Sequence, residues 1–511
     1  MPFRSILFEN IEEAPKQEVR EEPAFFADLN LDQMIEAITA GKREYDLKPF
    51  YYESLNDAAA VRYRQEIMRD LEEEILYESV QAFSRGMRAF REYHAQADKL
   101  SHRLQKEEWV LEAVETYGET VAVLAQDLAR INIRSRGFSG FREYLMGYVE
   151  SDRFTTLRAD TKKLRADLAA VRYCLRIQGN RINVRLLGSE RDYAEDVERT
   201  FERLKRGSTK DYTVNIPDRP GMNHVEEGIL DLVAQLYPDV FSALDEFCGK
   251  YRRCWEEIIR RFDREIQFYI AYLDHIARFK KTGLAFCYPE YSHESREIRV
   301  SEGYDLALAD RLLAENGTVV GNDFGLKGNE RVLVVTGPNQ GGKTTFARAF
   351  GQIHHLASLG CPVPAREAKL APFDKLFTHF EKEETRSNLR GKLQDDLLRM
   401  RDILSRASSA SVVIINEILS STTLHDALFL GLKLMERIVR LGPMCVYVTF
   451  IDELATYSEE TVSMVGAVVP DHPDVRTYKI QRRPPDGLSH ALSLAAKRRL
   501  TYTLLKERLL P

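Results

Sequence analysis

The sequence predicts an α/β domain in its C-terminal part, preceded by a mainly α-helical region. Two patterns carry this: long stripes of apolar residues at helical spacing through the first half, and, from Arg299 onward, short apolar strands alternating with helices. A third observation is size. With 511 residues and 44% hydrophobic content, the chain needs more than one core, because single cores stop growing at about 250–300 residues.

Residues 1–55, with Pro2, Pro15, Pro23 and Pro49 and few apolar clusters, are too short and interrupted for an independent domain and are expected to be a lead-in. The stretch "KPFYYESL" (Lys48 to Leu55) is read as packing against the first helix. Residues 56–290 form the helical core and lever region. Leu76, Val80, Phe83, Met87 and Phe90 recur at spacings of four and three, as do Tyr117, Val121, Leu124, Leu128 and Ile131, and then Phe154, Leu157, Thr161, Leu164, Leu168, Val171 and Leu175. Each stripe buries one seam, as lever arms or an ordinary bundle would; the period is the same in both. "LRIQGNRINVRL" alternates around Gly179-Asn180 and predicts a hairpin. Together with the Gly- and Pro-rich stretch after Lys205 it suggests a reduced clamp around 176–240. The long helix "YRRCWEEIIRRFDREIQFYIAYLDHIARFKK" then returns, and the domain boundary is placed between Lys281 and Arg299, leaving 299–511 as the α/β domain.

Cys174, Cys248, Cys254, Cys287, Cys361 and Cys445 show no ligand spacing, so neither a disulfide framework nor a zinc site is indicated, and buried reduced thiols are expected. A net charge of −6 argues against a chain coated in phosphate-binding charge but allows a local basic surface. No run approaches the ~18 apolar residues of a membrane span and no leader opens the chain, so a cytoplasmic protein with no membrane partner is expected.

The sharpest chemical signal is "RVLVVTGPNQGGKTTFARAFGQI": an apolar strand, a glycine-rich loop, an amphipathic helix. Gly337-x4-Gly342-Lys343-Thr344 has P-loop spacing. Glycines let successive N–H groups turn toward one anion, the helix N-terminus adds partial positive charge, and Lys343 reaches the β- and γ-phosphates. Gly337, Pro338, Asn339, Gln340, Gly341, Gly342, Lys343, Thr344 and Thr345 are therefore candidate nucleotide-binding residues, with Thr344 directed at Mg²⁺.

These residues resemble a family. "TGPNQGGKTT" is similar to the "TGPNxGGKS/T" loop of the MutS family of ABC-type ATPases, "LASLGCPVPAREAKLAPFDKLFTHF" resembles its following helix and strand, and "GTVVGNDFGL" looks like its segment flanking adenine, with Asn322 at the matching Asn. "PPDGLSHALSLAAKRRLTYTLLKERL" is similar to its closing dimerisation helices, and "YIAYLDHIARF" to its helix returning to the ATPase. The resemblance implies an α/β ABC-type P-loop ATPase domain, ATP and Mg²⁺ as cofactors, a homodimer, and double-stranded DNA as partner. It implies Glu417 and Lys343 as catalytic residues, Asn416 beside Thr344 at the metal, and Asp426 of "STTLHDA" facing the partner subunit.

Three departures stand out. The strand ending "VVIINE" has Asn416 where the family has the metal-ordering Asp. Phe450 stands where the family's switch His senses the γ-phosphate. Arg390-Gly391-Lys392 replaces the serine-containing signature that reaches across the dimer; Lys392 is either a substitute trans cation or a solvated surface lysine. Together they favour a nucleotide-gated clamp with slow hydrolysis, that is, a weak ATPase, or, in another class, a nucleotide-dependent protein-interaction module with little hydrolysis and no DNA target. The mismatch-reading domain ahead of the levers is expected to be missing, giving a core-only member. Mismatch-repair-like or recombination-related DNA binding would fall to backbone contacts by Arg176, Arg181, Arg185, Lys205, Arg206 and Lys210, which as isolated surface cations could equally be solvated.

Overall fold

The computed structural model describes residues 3–10, 18–188, 222–292, 295–315, 317–381, 391–469 and 472–485. Lys205, Arg206, Lys210, Arg390 and the closing helices lie outside these residues. The chain forms two compact units that interleave along the sequence: one from Glu72–Ile133 and Ser139–Asp263, the other from Phe3–Leu71, Arg134–Phe138 and Arg264 onward.

The first unit is helical. Helices Glu74–Lys99 and Arg103–Arg130 pack along their lengths, burying the stripe from Leu76 to Phe90 and that from Tyr117 to Leu128, while Ile131 beyond it is only half-buried. Their approach is close at Gly86, where a Cβ would lie 2.1 Å from the Thr120 hydroxyl oxygen, so any side chain there pushes the pair apart. Phe90 meets Tyr117 at 5.5 Å between ring centroids, and Phe141 stacks on Phe262 at 3.6 Å.

The third stripe holds only in part. Phe154, Leu157, Thr161 and Leu164 are buried, but helix Asp152–Ala169 ends before the stripe does. Leu175 sits in a strand and is 42% exposed. The apolar residues after Ala169 have changed period from 3.6 to 2, a switch the count at four and three ran across. Strands β1 (Tyr173–Gln178) and β2 (Arg181–Leu186) pair antiparallel around Gly179, whose φ is +55°, the left-handed conformation that a two-residue hairpin turn requires. Helices His224–Leu236 and Pro238–Tyr251 follow; the first opens with a capping box between Asn223 and Glu226.

The second unit holds two sheets. β3 (Glu290–Tyr291), β4 (Ile298–Gly303), β5 (Asn322–Leu326) and β7 (Glu367–Leu370) form a four-stranded sheet of order β3-β7-β4-β5. β6 (Val332–Thr336), β8 (Leu376–Phe380), β9 (Val412–Asn416), β10 (Met444–Val448), β11 (Thr461–Val469) and β12 (His472–Arg482) form a six-stranded sheet of order β12-β11-β6-β10-β9-β8. All its pairings are parallel except β11 with β12. Every residue of β6, β9 and β10 is buried, which explains why they read as largely apolar runs rather than alternating ones.

The N-terminal segment is part of this unit. The Tyr51 hydroxyl donates to Phe268 O at 2.9 Å, the fully buried Gln352 amide donates to Leu29 O at 2.8 Å, and Ser5 and the Ile6 amide both donate to Glu265. Buried Arg64 donates to Leu7 O and Leu359 O. Each bond satisfies a group that burial would otherwise penalise by ~1–3 kcal/mol. Among the described residues no helix is long and apolar enough to cross a membrane, and all six cysteines are free thiols, with Cys361 and Cys445 fully buried.

Candidate functional site

The site lies where parallel strands end. Val448 of β10 pairs with Asn416 of β9 on one side and Val335 of β6 on the other, so the loop after β6 and the Asn416-Glu417 pair at the end of β9 project from the same sheet edge. In open α/β sheets this carboxyl edge is where ligands bind.

The loop is shaped by its glycines. Gly337 has φ +120°, and a Cβ there would lie 2.8 Å from the Gly466 nitrogen; Gly342, with φ +92°, caps helix Lys343–Ser358. Gln340 takes φ +59° without being glycine, a conformation that costs energy for a residue with a Cβ. Lys343 is buried, its ammonium donating to Gly337 O (3.0 Å), Pro338 O (3.2 Å) and Asn339 Oδ1 (3.4 Å), with Glu417 Oε1 at 3.5 Å. The cation thus holds the loop's own oxygens across the space a phosphate chain would take. Burial holds the Lys343 pKa below the ordinary lysine range; the Glu417 charge works against that and Arg476 with it.

Thr344 donates its hydroxyl to Asn416 Oδ1 at 3.1 Å. Two neutral oxygens meeting at this edge are hard donors suited to a magnesium ion that keeps water and phosphate as its other ligands. Asn416 leaves one oxygen acceptor but no negative charge, which lowers the attraction for a dication. Glu417 has φ +52°, and its amide donates to Val448 O at 3.0 Å; the backbone is turned at this residue and its side chain is left beside Lys343.

A cavity of about 420 Å³ opens from the loop. It is lined by Gln340 to Thr345 and Glu417, and by Leu308, Leu312, Val319, Val320, Asn322 and Tyr478. Asp305, also in the lining, accepts from the Leu308 amide (3.0 Å) and Gln352 Nε2 (2.7 Å); burial pushes its carboxyl up against both bonds. Asp305, Leu308, Leu312, Arg476 and Tyr478 escaped sequence reasoning, since each is distant in the chain from the loop and none belongs to a spaced motif.

The remaining sequence candidates lie apart from the cavity lining. Lys392 pairs with Glu381 of the same chain, and Glu381 also accepts from Ser420 at 2.9 Å. Asp426 accepts the Thr423 hydroxyl at 3.0 Å and returns its amide to it at 3.2 Å, a local cap on helix Leu424–Leu441. Phe450 is half-exposed. Arg176, Arg181 and Arg185 are exposed on the β1–β2 hairpin.

Residues 333–484 match the MutS domain V family. A DNA mismatch repair protein MutS of Chlorobium phaeovibrioides is 27% identical over 283 residues, 54% of this chain and 31% of that protein. An Endonuclease MutS2 of Gemmatimonas aurantiaca is 31% identical over 198 residues, 38% of this chain and 24% of that protein. A DNA mismatch repair protein MutS of Shouchella clausii is 25% identical over 236 residues, 46% of this chain and 26% of that protein. The chain thus spans about a quarter to a third of the length of the curated relatives it matches.

Proposed function

Because the chain belongs to the MutS family through its α/β part, we propose that it is an ABC-type P-loop ATPase of slow turnover, an ATP-gated homodimeric clamp acting on duplex DNA. The observation that supports this most strongly is Lys343, buried and held by the loop's own carbonyls beside Glu417. A triphosphate offers that ammonium better acceptors, anionic oxygens in place of neutral ones, so binding exchanges internal bonds for charge-assisted ones.

In this reading the loop amides and Lys343 bind the phosphates, and Asn322 and the apolar end of the cavity receive the base. Glu417, released from Lys343, orients and deprotonates the attacking water. Thr344 and Asn416 would hold Mg²⁺, which neutralises charge on the phosphates when bound. With Asn416 neutral, metal retention is weaker and hydrolysis slow. Steady-state hydrolysis by purified protein tests this: slow turnover that Glu417→Gln abolishes while ATP still binds and a closed dimer accumulates is expected, and many turnovers per second would refute it.

DNA contact is proposed at Arg176, Arg181 and Arg185 through the phosphate backbone, a mode that reads no sequence. A second reading, a nucleotide-dependent protein-interaction module, draws on the Lys392–Glu381 pair and half-exposed Phe450, which leave the cross-dimer signature and the γ-phosphate switch positions without the chemistry expected of them. Duplex titrations with and without ATP separate the two: a log–log salt slope near zero favours the second.

A further inference from the structure

Helix Lys392–Arg406 buries Asp396, Met400 and Ile403, and the first of these is not apolar. A hydrophobic residue in its place would continue the stripe that Met400 and Ile403 make at helical spacing. A carboxylate there is taken out of water and is tolerated only where its bonds offset that loss. Two groups meet it. His379 of β8, fully buried, stands with Nε2 at 3.3 Å from Asp396 Oδ1, and the Leu419 amide donates to the same carboxylate. Burial pushes the Asp396 carboxyl up, and the bond from Leu419 is the largest influence working against it, ahead of the Lys392 and Arg399 charges.

Leu419 closes the turn that begins at Glu417. Glu417 and Leu419 have φ of +52° and +66°, in the left-handed region that residues with a Cβ seldom enter, and such backbone persists only where its surroundings fix it. The start of the turn is fixed by the bond from the Glu417 amide to Val448 O at 3.0 Å. Its middle is fixed by Ile418 and Leu419, buried in one core cluster with Met400 and Ile403. Asp396 fixes its end. The next residue is tied as well: Ser420 donates to Glu381 at 2.9 Å, and Glu381 pairs with Lys392 at the start of the same helix. The helix thus holds the chain after Glu417 at two places, while Glu417 lines the cavity with its carboxylate 3.5 Å from Lys343 Nζ.

We propose that Asp396, steadied by His379, is a positioning residue for hydrolysis: by holding the Leu419 amide it keeps the left-handed turn that sets the Glu417 carboxylate in the cavity. This rests on the reading of Glu417 as general base given above. Asp396 is not among the lining residues and acts only through the backbone. A base displaced from its water loses rate, while the phosphate grip, made by the glycine loop and Lys343, is left intact.

The test uses the full chain with Mg²⁺ and three readouts: steady-state ATP hydrolysis, ATP affinity by calorimetry, and amide hydrogen exchange. Asp396→Leu keeps the branching of the side chain and completes the apolar stripe but removes the acceptor. It should lower kcat by about tenfold to a hundredfold while ATP affinity changes by less than about twofold. In the same variant the Leu419 amide should lose protection while β9 and β10 keep theirs. Asp396→Asn, whose Oδ1 still accepts from the Leu419 amide, should hold kcat within about threefold of the unaltered protein. Ser420→Ala, at an exposed residue, removes the outer tie without touching the core and should lower kcat by about twofold to fivefold. Losses of equal size in Asp396→Leu and Asp396→Asn, or an unchanged kcat in Asp396→Leu and Ser420→Ala, would overturn the proposal. Turnover that survives Glu417→Gln would instead overturn the reading of Glu417 on which it rests.

Discussion

Strands β6 and β1 are both short and rich in branched or aromatic residues, yet one lies at the centre of a sheet and the other stands in solvent. β6 is flanked by β10 and β11 and is buried along its whole length. β1 has β2 alone. Their register puts Tyr173, Leu175, Ile177, Ile182, Val184 and Leu186 on one face and Cys174, Arg176, Gln178, Arg181, Asn183 and Arg185 on the other. Among the described residues the apolar face stays largely open, with Ile177 67% and Leu186 55% exposed. A strand that is fixed on all sides can aim a loop with the precision phosphate binding needs; a two-stranded ribbon can present chemistry but cannot hold it rigid.

The contrast can be broken most severely at Lys343. Lys343→Ala should reduce nucleotide affinity by about a hundredfold or more, as expected when an ammonium contacting a phosphate chain is lost, and calorimetry checks it. If affinity survives, the loop is not the binding element. Removing a side chain from the central strands comes next: Ile414→Ala, in fully buried β9, should destabilise the fold by about 2–5 kcal/mol in denaturant titration.

A pH series sharpens the picture at the same lysine. Burial lowers the Lys343 pKa, and phosphate needs the protonated form. Nucleotide affinity should therefore fall as pH rises through this lowered pKa, before the ordinary lysine value of about 10.4 is reached. For the fold the sign is opposite: burying the charged ammonium is unfavourable, so this residue's penalty on stability diminishes as it deprotonates. Affinity that stays flat until that ordinary value would show that Lys343 is not held where burial places it.

The hairpin should give the smaller effects. Replacing Arg176, Arg181 and Arg185 together with Ala should flatten the log–log salt slope of duplex binding by about 2–3. Ile177→Ala should change stability by no more than about 0.5 kcal/mol, roughly a tenth to a quarter of the effect at Ile414.

What was legible in the sequence follows the same division. The glycine loop, Lys343 and Thr344 are contiguous and have P-loop spacing, so they could be read directly; Asn416 and Glu417 stand on another strand and were given their roles through the family resemblance, and the Thr344–Asn416 bond brings the two segments together at one sheet edge. The first two helical stripes were legible because 3.6-residue periodicity survives over many turns. The rest of the cavity lining was not: Leu308, Val319 and Tyr478 come from three separate segments, and only folding brings them together. Asn322 was found through its resemblance to a family position, while its bonds to the Tyr478 carbonyl and the Ile480 amide depend on a strand 156 and 158 residues away in the chain. The third stripe misled past Ala169, because Leu175 falls on a helical count while its backbone is already extended.

On the proposed reading, a triphosphate seated on the loop from Gly337 to Thr344 draws two chains together. Sedimentation velocity of the Glu417→Gln protein with Mg²⁺, with and without saturating ATP, tests it most directly. A shift from monomer to dimer on adding ATP, absent in Lys343→Ala, is the predicted result; an identical sedimentation profile in both conditions, with ATP shown to be bound, would contradict it.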